Sequence, residues 1–142
     1  MPRGPRIEAS SELLNHPAEV RLRVRAPSLG ALAAEAGKAL GGLELGTTRR
    51  AGSGRWRLIE IRAADREALL VDWLNELIYL AETEFWVPVQ FRVRAATNTT
   101  IAIEARGVKV EQAPARVKAA TFYGLHVGER AGGLEAEIVF DV

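Results

Sequence analysis

Between Ala18 and Ala26, apolar and charged side chains alternate without a break. Val20, Leu22 and Val24 fall on one side of an extended chain, and Glu19, Arg21, Arg23 and Arg25 on the other. A period of two predicts a strand with one buried face and one wet face. Pro27-Ser28 stops it, and Ser28 is placed to cap a helix. Leu29, Leu32, Ala33, Ala36 and Leu40 then fall at helical spacing, and Gly41-Gly42 is expected to end that helix. The period thus switches from two to 3.6 within a few residues, so strands and helices must share one core.

Gly46 to Gly54 reads as a loop, and Arg55 to Ala63 as a second strand carrying Trp56, Leu58, Ile59 and Ile61. Asp65 is a plausible N-cap. After it Leu69, Leu70, Trp73, Leu74, Leu77, Ile78 and Ala81 form a broad apolar stripe, with Asp72, Glu76 and Glu82 off it. The remainder is strand-rich. Phe85 to Ala96 puts Phe91 and Val93 on one parity and Arg92 and Arg94 on the other; Thr97-Asn98-Thr99 is a turn candidate; Ile101 and Ile103 alternate with Ala102 and Glu104. Val117 to Gly124 and Leu125 to Gly128 are extended with a bend at Tyr123-Gly124, and a hairpin at Ala131-Gly132-Gly133 leads into Leu134 to Val142. The order β-α-β-α followed by about five strands predicts an α+β fold: two layers, a mostly antiparallel β-sheet with two helices packed on it. Residues 1–12 read as a flexible N-terminal extension and 13–142 as a single domain.

Composition excludes several classes. At 48% hydrophobic and 26% charged, the 142 residues are expected to fold around one core. No apolar run approaches the roughly 20 residues of a membrane span. No apolar stretch follows Met1–Pro5, so no secretory signal is expected and a cytoplasmic location is. The absence of cysteine removes disulfides, thiolate zinc sites and cysteine nucleophiles. Net charge is only +1, which gives no global nucleic-acid signal. Acidic residues concentrate in the second helix, ordinarily a solvated face and otherwise a docking surface for a basic protein. Three arginines in the first strand, without interleaved aromatics, are weak grounds for an RNA track. No phosphate loop, nucleophile elbow or nucleophile–base pair is present, so no catalytic residue is expected.

Two places carry coordinating chemistry. His16 precedes the first strand in Asn15-His16-Pro17-Ala18-Glu19, and a bare loop histidine is most often structural or exposed; His126 reads as a cross-strand residue. At the other end Asp141 and Val142 close the chain behind Ile138, Val139 and Phe140. Dense hard oxygen donors suit Ca²⁺ or Mg²⁺ better than zinc; the plainer reading is a solvated strand end. Glu19 and Asp141 would meet if the first and last strands pair.

Three segments together resemble the archease family: Asp72-Trp73-Leu74-Asn75-Glu76-Leu77-Ile78-Tyr79-Leu80 with Glu82-Thr83-Glu84, then Val117 to Leu125, then Ile138 to Val142. Order and spacing fit from about residue 13 to the end. The resemblance implies a non-catalytic activator of the RtcB-type RNA ligase, which joins tRNA halves and broken RNAs. It would promote guanylylation of the ligase histidine, help turnover and broaden nucleotide choice. It also implies a divalent metal, Ca²⁺ first, held by the acid of an N-terminal His-Thr-Ala-Asp motif and by the terminal Asp with its neighbour. Here these positions are Glu19, Asp141 and Val142, with Lys118 and His16 as candidates for ligase activation. The motif departs from the family pattern: Pro17 replaces Thr, Glu19 replaces Asp, and Arg21 stands where Gly is usual. The extra methylene of Glu moves its oxygens by about 1.5 Å, which a site held to about 2.3–2.6 Å absorbs only through backbone adjustment. A divergent binding or chaperone-like module therefore stays open as the alternative, as does direct RNA contact.

Overall fold

The computed structural model describes residues 7–16, 19–48, 50–114 and 116–142, with side chains described for all of these except 15, 16, 48 and 122–124. Among the described residues, seven strands and two helices follow the order β1 (Ser10–His16), β2 (Glu19–Ala26), α1 (Leu29–Leu45), β3 (Ser53–Arg62), α2 (Arg66–Glu84), β4 (Trp86–Ala96), β5 (Thr100–Lys109), β6 (Ala119–Arg130), β7 (Gly133–Asp141). A 3₁₀ turn at Gly46–Thr48 follows α1. Among the described residues no helix is long and apolar enough to cross a membrane.

The α+β class, the antiparallel pairing and the two helices are as the sequence predicts. Three details differ. Ser10–Glu12, expected to fray, belong to β1, which pairs along its length with β2. Four strands, not five, follow α2, because the two stretches expected around Tyr123-Gly124 are one strand, β6, whose register shifts between Thr121 and His126. The strands also divide into two sheets, β1-β2-β7-β6 and β3-β5-β4. Both sheets deliver apolar residues to one core around the helices: Leu22 and Val24 from β2, Ile138 and Phe140 from β7, Ile103 and Ala105 from β5.

The capping residues act as their chemistry suggests. Ser28 Oγ accepts the Ala31 N–H at 3.3 Å, and Asp65 Oδ1 accepts the Ala68 N–H at 2.8 Å. The first helix does not stop at Gly41-Gly42. It runs on to Leu45 and is closed by Gly46 in positive φ (58°). Gly41 serves packing instead: a Cβ there would lie 2.5 Å from the Pro88 carbonyl oxygen, so its bare Cα lets β4 cross close against the helix. Between the helices Trp73 is fully buried. Its Nε1–H donates to Ala33 O at 2.8 Å, and its ring meets Phe91 edge-on, with centroids 5.6 Å apart.

Candidate functional site

The alternation of β2 sends Leu22, Val24 and Ala26 into the core and leaves Glu19, Arg21, Arg23 and Arg25 on the outer face. The same alternation on β7 buries Ala136, Ile138 and Phe140 and turns Glu135, Glu137 and Asp141 outward. Because β2 and β7 pair antiparallel with Glu19 opposite Asp141, the two acids share one face and one row. That row extends across the whole four-stranded sheet, with His16 of β1 opposite Glu19 and Ala119 of β6 opposite Asp141. The pairing that would bring Glu19 and Asp141 together is therefore present.

Lys118 precedes β6 and is exposed, and its backbone N–H donates to Asp141 O at 2.9 Å. Val142 is exposed beside it. The side chain of His16 lies outside the described residues; only its place in the row is given. His126 sits farther along β6, exposed and opposite Glu137, and takes no place in the row.

Two contributors escape the sequence reading. Asn75 of α2 clamps the start of β6: its Oδ1 accepts the Ala120 N–H at 2.8 Å and its Nδ2 donates to Ala120 O at 3.1 Å. The signal was a carboxamide among the apolar residues of a helix, which needs a partner when half-buried. The second is the contact made by Arg21, whose position the sequence marks but whose partners it does not. Its Nε donates to Glu19 Oε1 at 3.3 Å and its Nη1 to Glu137 Oε1 at 3.3 Å, while Arg23 lies 3.6 Å from the other Glu137 oxygen. A resident guanidinium thus holds the carboxylate that the row offers.

The described donors of the row, the carboxylates of Glu19 and Asp141, are oxygens, which suit a hard divalent cation better than a soft one. Among the described residues no group of three or more His, Asp or Glu is placed to hold a metal. Glu19, Asp141 and Val142 would therefore share a cation with backbone oxygens or water, and any cation would have to contend with Arg21.

This arrangement sits in a chain with clear relatives. The model of the Archease protein family matches residues 12–142. The archease of Methanosarcina barkeri is 30% identical over 139 residues, covering 92% of this chain and 94% of the relative. That of Methanothermobacter thermautotrophicus is 30% identical over 92 residues, 61% of this chain and 66% of the relative. Among solved structures, the solution structure of Methanobacterium thermoautotrophicum protein 1598 superposes with a TM-score of 0.75 at 24% identity, covering 93% of this chain and 98% of that one. The crystal structure of a Thermotoga maritima archease, described as a possible chaperone, gives 0.65 at 22% identity over 91% of this chain and 94% of its own. The family match across nearly the whole described fold, with a full-length relative at this identity, leads to one conclusion: the chain belongs to the Archease protein family.

Proposed function

We propose that this chain is a cytoplasmic, non-catalytic protein cofactor that activates an RtcB-type RNA ligase, promoting its guanylylation and its turnover in tRNA splicing or RNA repair. The observation that carries this reading is the row in which Glu19 and Asp141 stand as register partners at one end of the sheet. Lys118 stands beside them, hydrogen-bonded to Asp141 through its backbone. An end that gathers carboxylates and a lysine can be presented to the nucleotide pocket of a larger enzyme. Glu19 and Asp141 would hold a divalent cation there, which when bound supplies positive charge for a nucleotide phosphate. The acidic outer side of α2 and the arginines of β2 would steer the encounter.

The test is multiple-turnover RNA ligation by the cognate ligase with this protein at substoichiometric concentration. A rise in turnover and in ligase guanylylation, lost in Asp141→Asn, is the expected result. An unchanged rate with a competent ligase would abandon the proposal in favour of a chaperone-like binding module. The contact between Arg21 and Glu19 is the observation that favours that second reading, because it satisfies the carboxylate without a metal.

Arg21 also gives a prediction of its own. A unit positive charge close to a divalent ion costs on the order of 1 kcal/mol in water-like surroundings. Arg21→Ala should therefore tighten Ca²⁺ binding five- to tenfold in a calorimetric titration, and Glu19→Gln should weaken it. Equal affinities in the parent and Arg21→Ala proteins would mean that the guanidinium does not compete.

A further inference from the structure

We propose that the outward face of the three-stranded sheet binds single-stranded nucleic acid. The inward face of this sheet is apolar and covered by the helices: Ile59, Ile101, Ile103 and Ala105 belong to the core. The opposite parity points away from them. Leu58, Glu104 and Arg92 form one row across β3, β5 and β4; Arg106 stands opposite Gln90, and Arg62 opposite Thr100. On this face Leu58 and Arg94 are well exposed, at 54% and, for the Arg94 side chain, 64%.

Charge distinguishes this surface from the outer face of the four-stranded sheet. There the arginines of β2 and Arg130 all lie against glutamates: Arg21 against Glu19 and Glu137, Arg23 against Glu12 and Glu137, Arg25 and Arg130 against Glu135. Here, among the described residues of β3, β4 and β5, Arg62, Arg92, Arg94 and Arg106 share the face with Glu60 and Glu104, and Glu35 and Lys38 of α1 stand together at its β4 edge. Glu104 is already shared between Arg92, bonded through both carboxylate oxygens at 3.1 and 3.2 Å, and Arg94 at 3.3 Å. The face therefore keeps a cationic surplus that its own residues do not neutralise.

Planar groups decide what kind of anion fits. The guanidiniums of Arg92 and Arg106 lie over the Trp56 ring, 4.2 and 4.5 Å from its centroid. Guanidinium planes and indole faces are the groups on which unpaired bases stack, while neighbouring arginines take the phosphates. An acidic protein segment would use the charge but has little use for the stacked planes. A duplex hides its bases, and a sheet face of this kind reaches them only when they are unstacked. The surplus charge and the indole–guanidinium layer lie within one face, so a strand of a few nucleotides could engage both. Neither the carboxylate row nor a ligase takes part, so a failure of ligase activation would leave this proposal standing.

The test is fluorescence anisotropy of a labelled 12-nucleotide single-stranded RNA titrated with the whole chain at 50 and 200 mM KCl. A DNA strand of the same sequence, an RNA duplex and a poly-glutamate peptide serve as competitors. With about three phosphate contacts the affinity should fall about twentyfold between the two salt concentrations. Trp56→Ala should weaken binding about tenfold, while Trp56→Phe keeps most of it. Arg94→Ala, at an exposed position, should flatten the salt dependence by about one phosphate's share. Arg130→Ala, on the other sheet, should bind as the parent does. Competition by DNA as strong as by RNA supports a site that reads bases and phosphates without the sugar. Absence of saturable binding at 50 mM KCl would overturn the proposal. So would parent-like binding by both Trp56→Ala and Arg94→Ala, or competition by duplex or poly-glutamate equal to that by single strands.

Discussion

Replacing Trp73 with alanine should remove about 3–5 kcal/mol of stability, a large part of the 5–15 kcal/mol that holds an ordinary domain folded. Trp73 is the largest fully buried side chain among the described residues, and it links three elements. From α2 it donates a hydrogen bond to the α1 carbonyl of Ala33, and its ring meets Phe91 of β4 edge-on. Truncation leaves a cavity at the junction of both helices and the three-stranded sheet, and packed helices do not collapse fully into such a space. Trp73→Phe keeps most of the apolar volume and loses the donor, so it should cost much less. Urea unfolding followed by far-ultraviolet circular dichroism measures both. A loss under 1 kcal/mol for the alanine variant would show that the junction is not the centre of the core.

The second large effect is expected at Glu44, near the end of α1. This residue is buried, and desolvation, joined by repulsion from Glu82, raises its pKa from 4.5 to about 8. In the unfolded chain it titrates near the ordinary value, so the folded state binds the extra proton between these limits. The contribution of Glu44 to stability is best below pH 4.5, falls as pH rises toward 8, and is flat above that. At about 1.4 kcal/mol per pKa unit, a rise from 4.5 to about 8 gives a full swing of up to about 5 kcal/mol. Glu44→Gln imitates the protonated form and should erase the slope. Its thermal midpoint should exceed the parent's by on the order of 10 °C at pH 9 and differ little at pH 4.5. Hydrogen bonds from Arg57, Arg92 and Arg25 hold Glu84, Glu104 and Glu135 below the usual carboxylate range. Their support is lost as pH falls through these lowered values, so the stability maximum should lie near pH 5. A parent protein equally stable at pH 5 and pH 9 would contradict the assignment to Glu44.

What could be read from the sequence was what local chemistry decides. The alternation of Ala18–Ala26, the Asp65 cap and the stripe from Leu69 to Ala81 each depend on side chains within a few residues of one another, and each element lies where they put it. What could not be read depends on partners far along the chain. β1 has no clean alternation, Leu13 stays exposed, and the strand forms because β2 offers an edge. Gly41 looks like a stop signal until Pro88 is placed against it. The division into two sheets follows from β7 entering between β2 and β6, a choice no short window records. The site shows the same split. Glu19 and Asp141 were legible as acids on outward faces. The grip of Arg21 on Glu19, the clamp of Asn75 on Ala120 and the burial of Glu44 were not, since each is set by how neighbouring elements pack.

The pairing of β2 with β7 joins residues from opposite ends of the sequence; Arg21 and Glu137, in contact on this face, are 116 positions apart. No fragment lacking either strand can assemble the carboxylate row, and no local fluctuation within one hairpin creates it. The row exists only while β2 and β7 are paired, so a chain that has not yet brought its two ends together lacks it. Contacts of such long sequence separation also form late, after the loop between them has been ordered. Any partner that reads this end of the molecule would thereby meet the row only on chains whose two ends have already been joined.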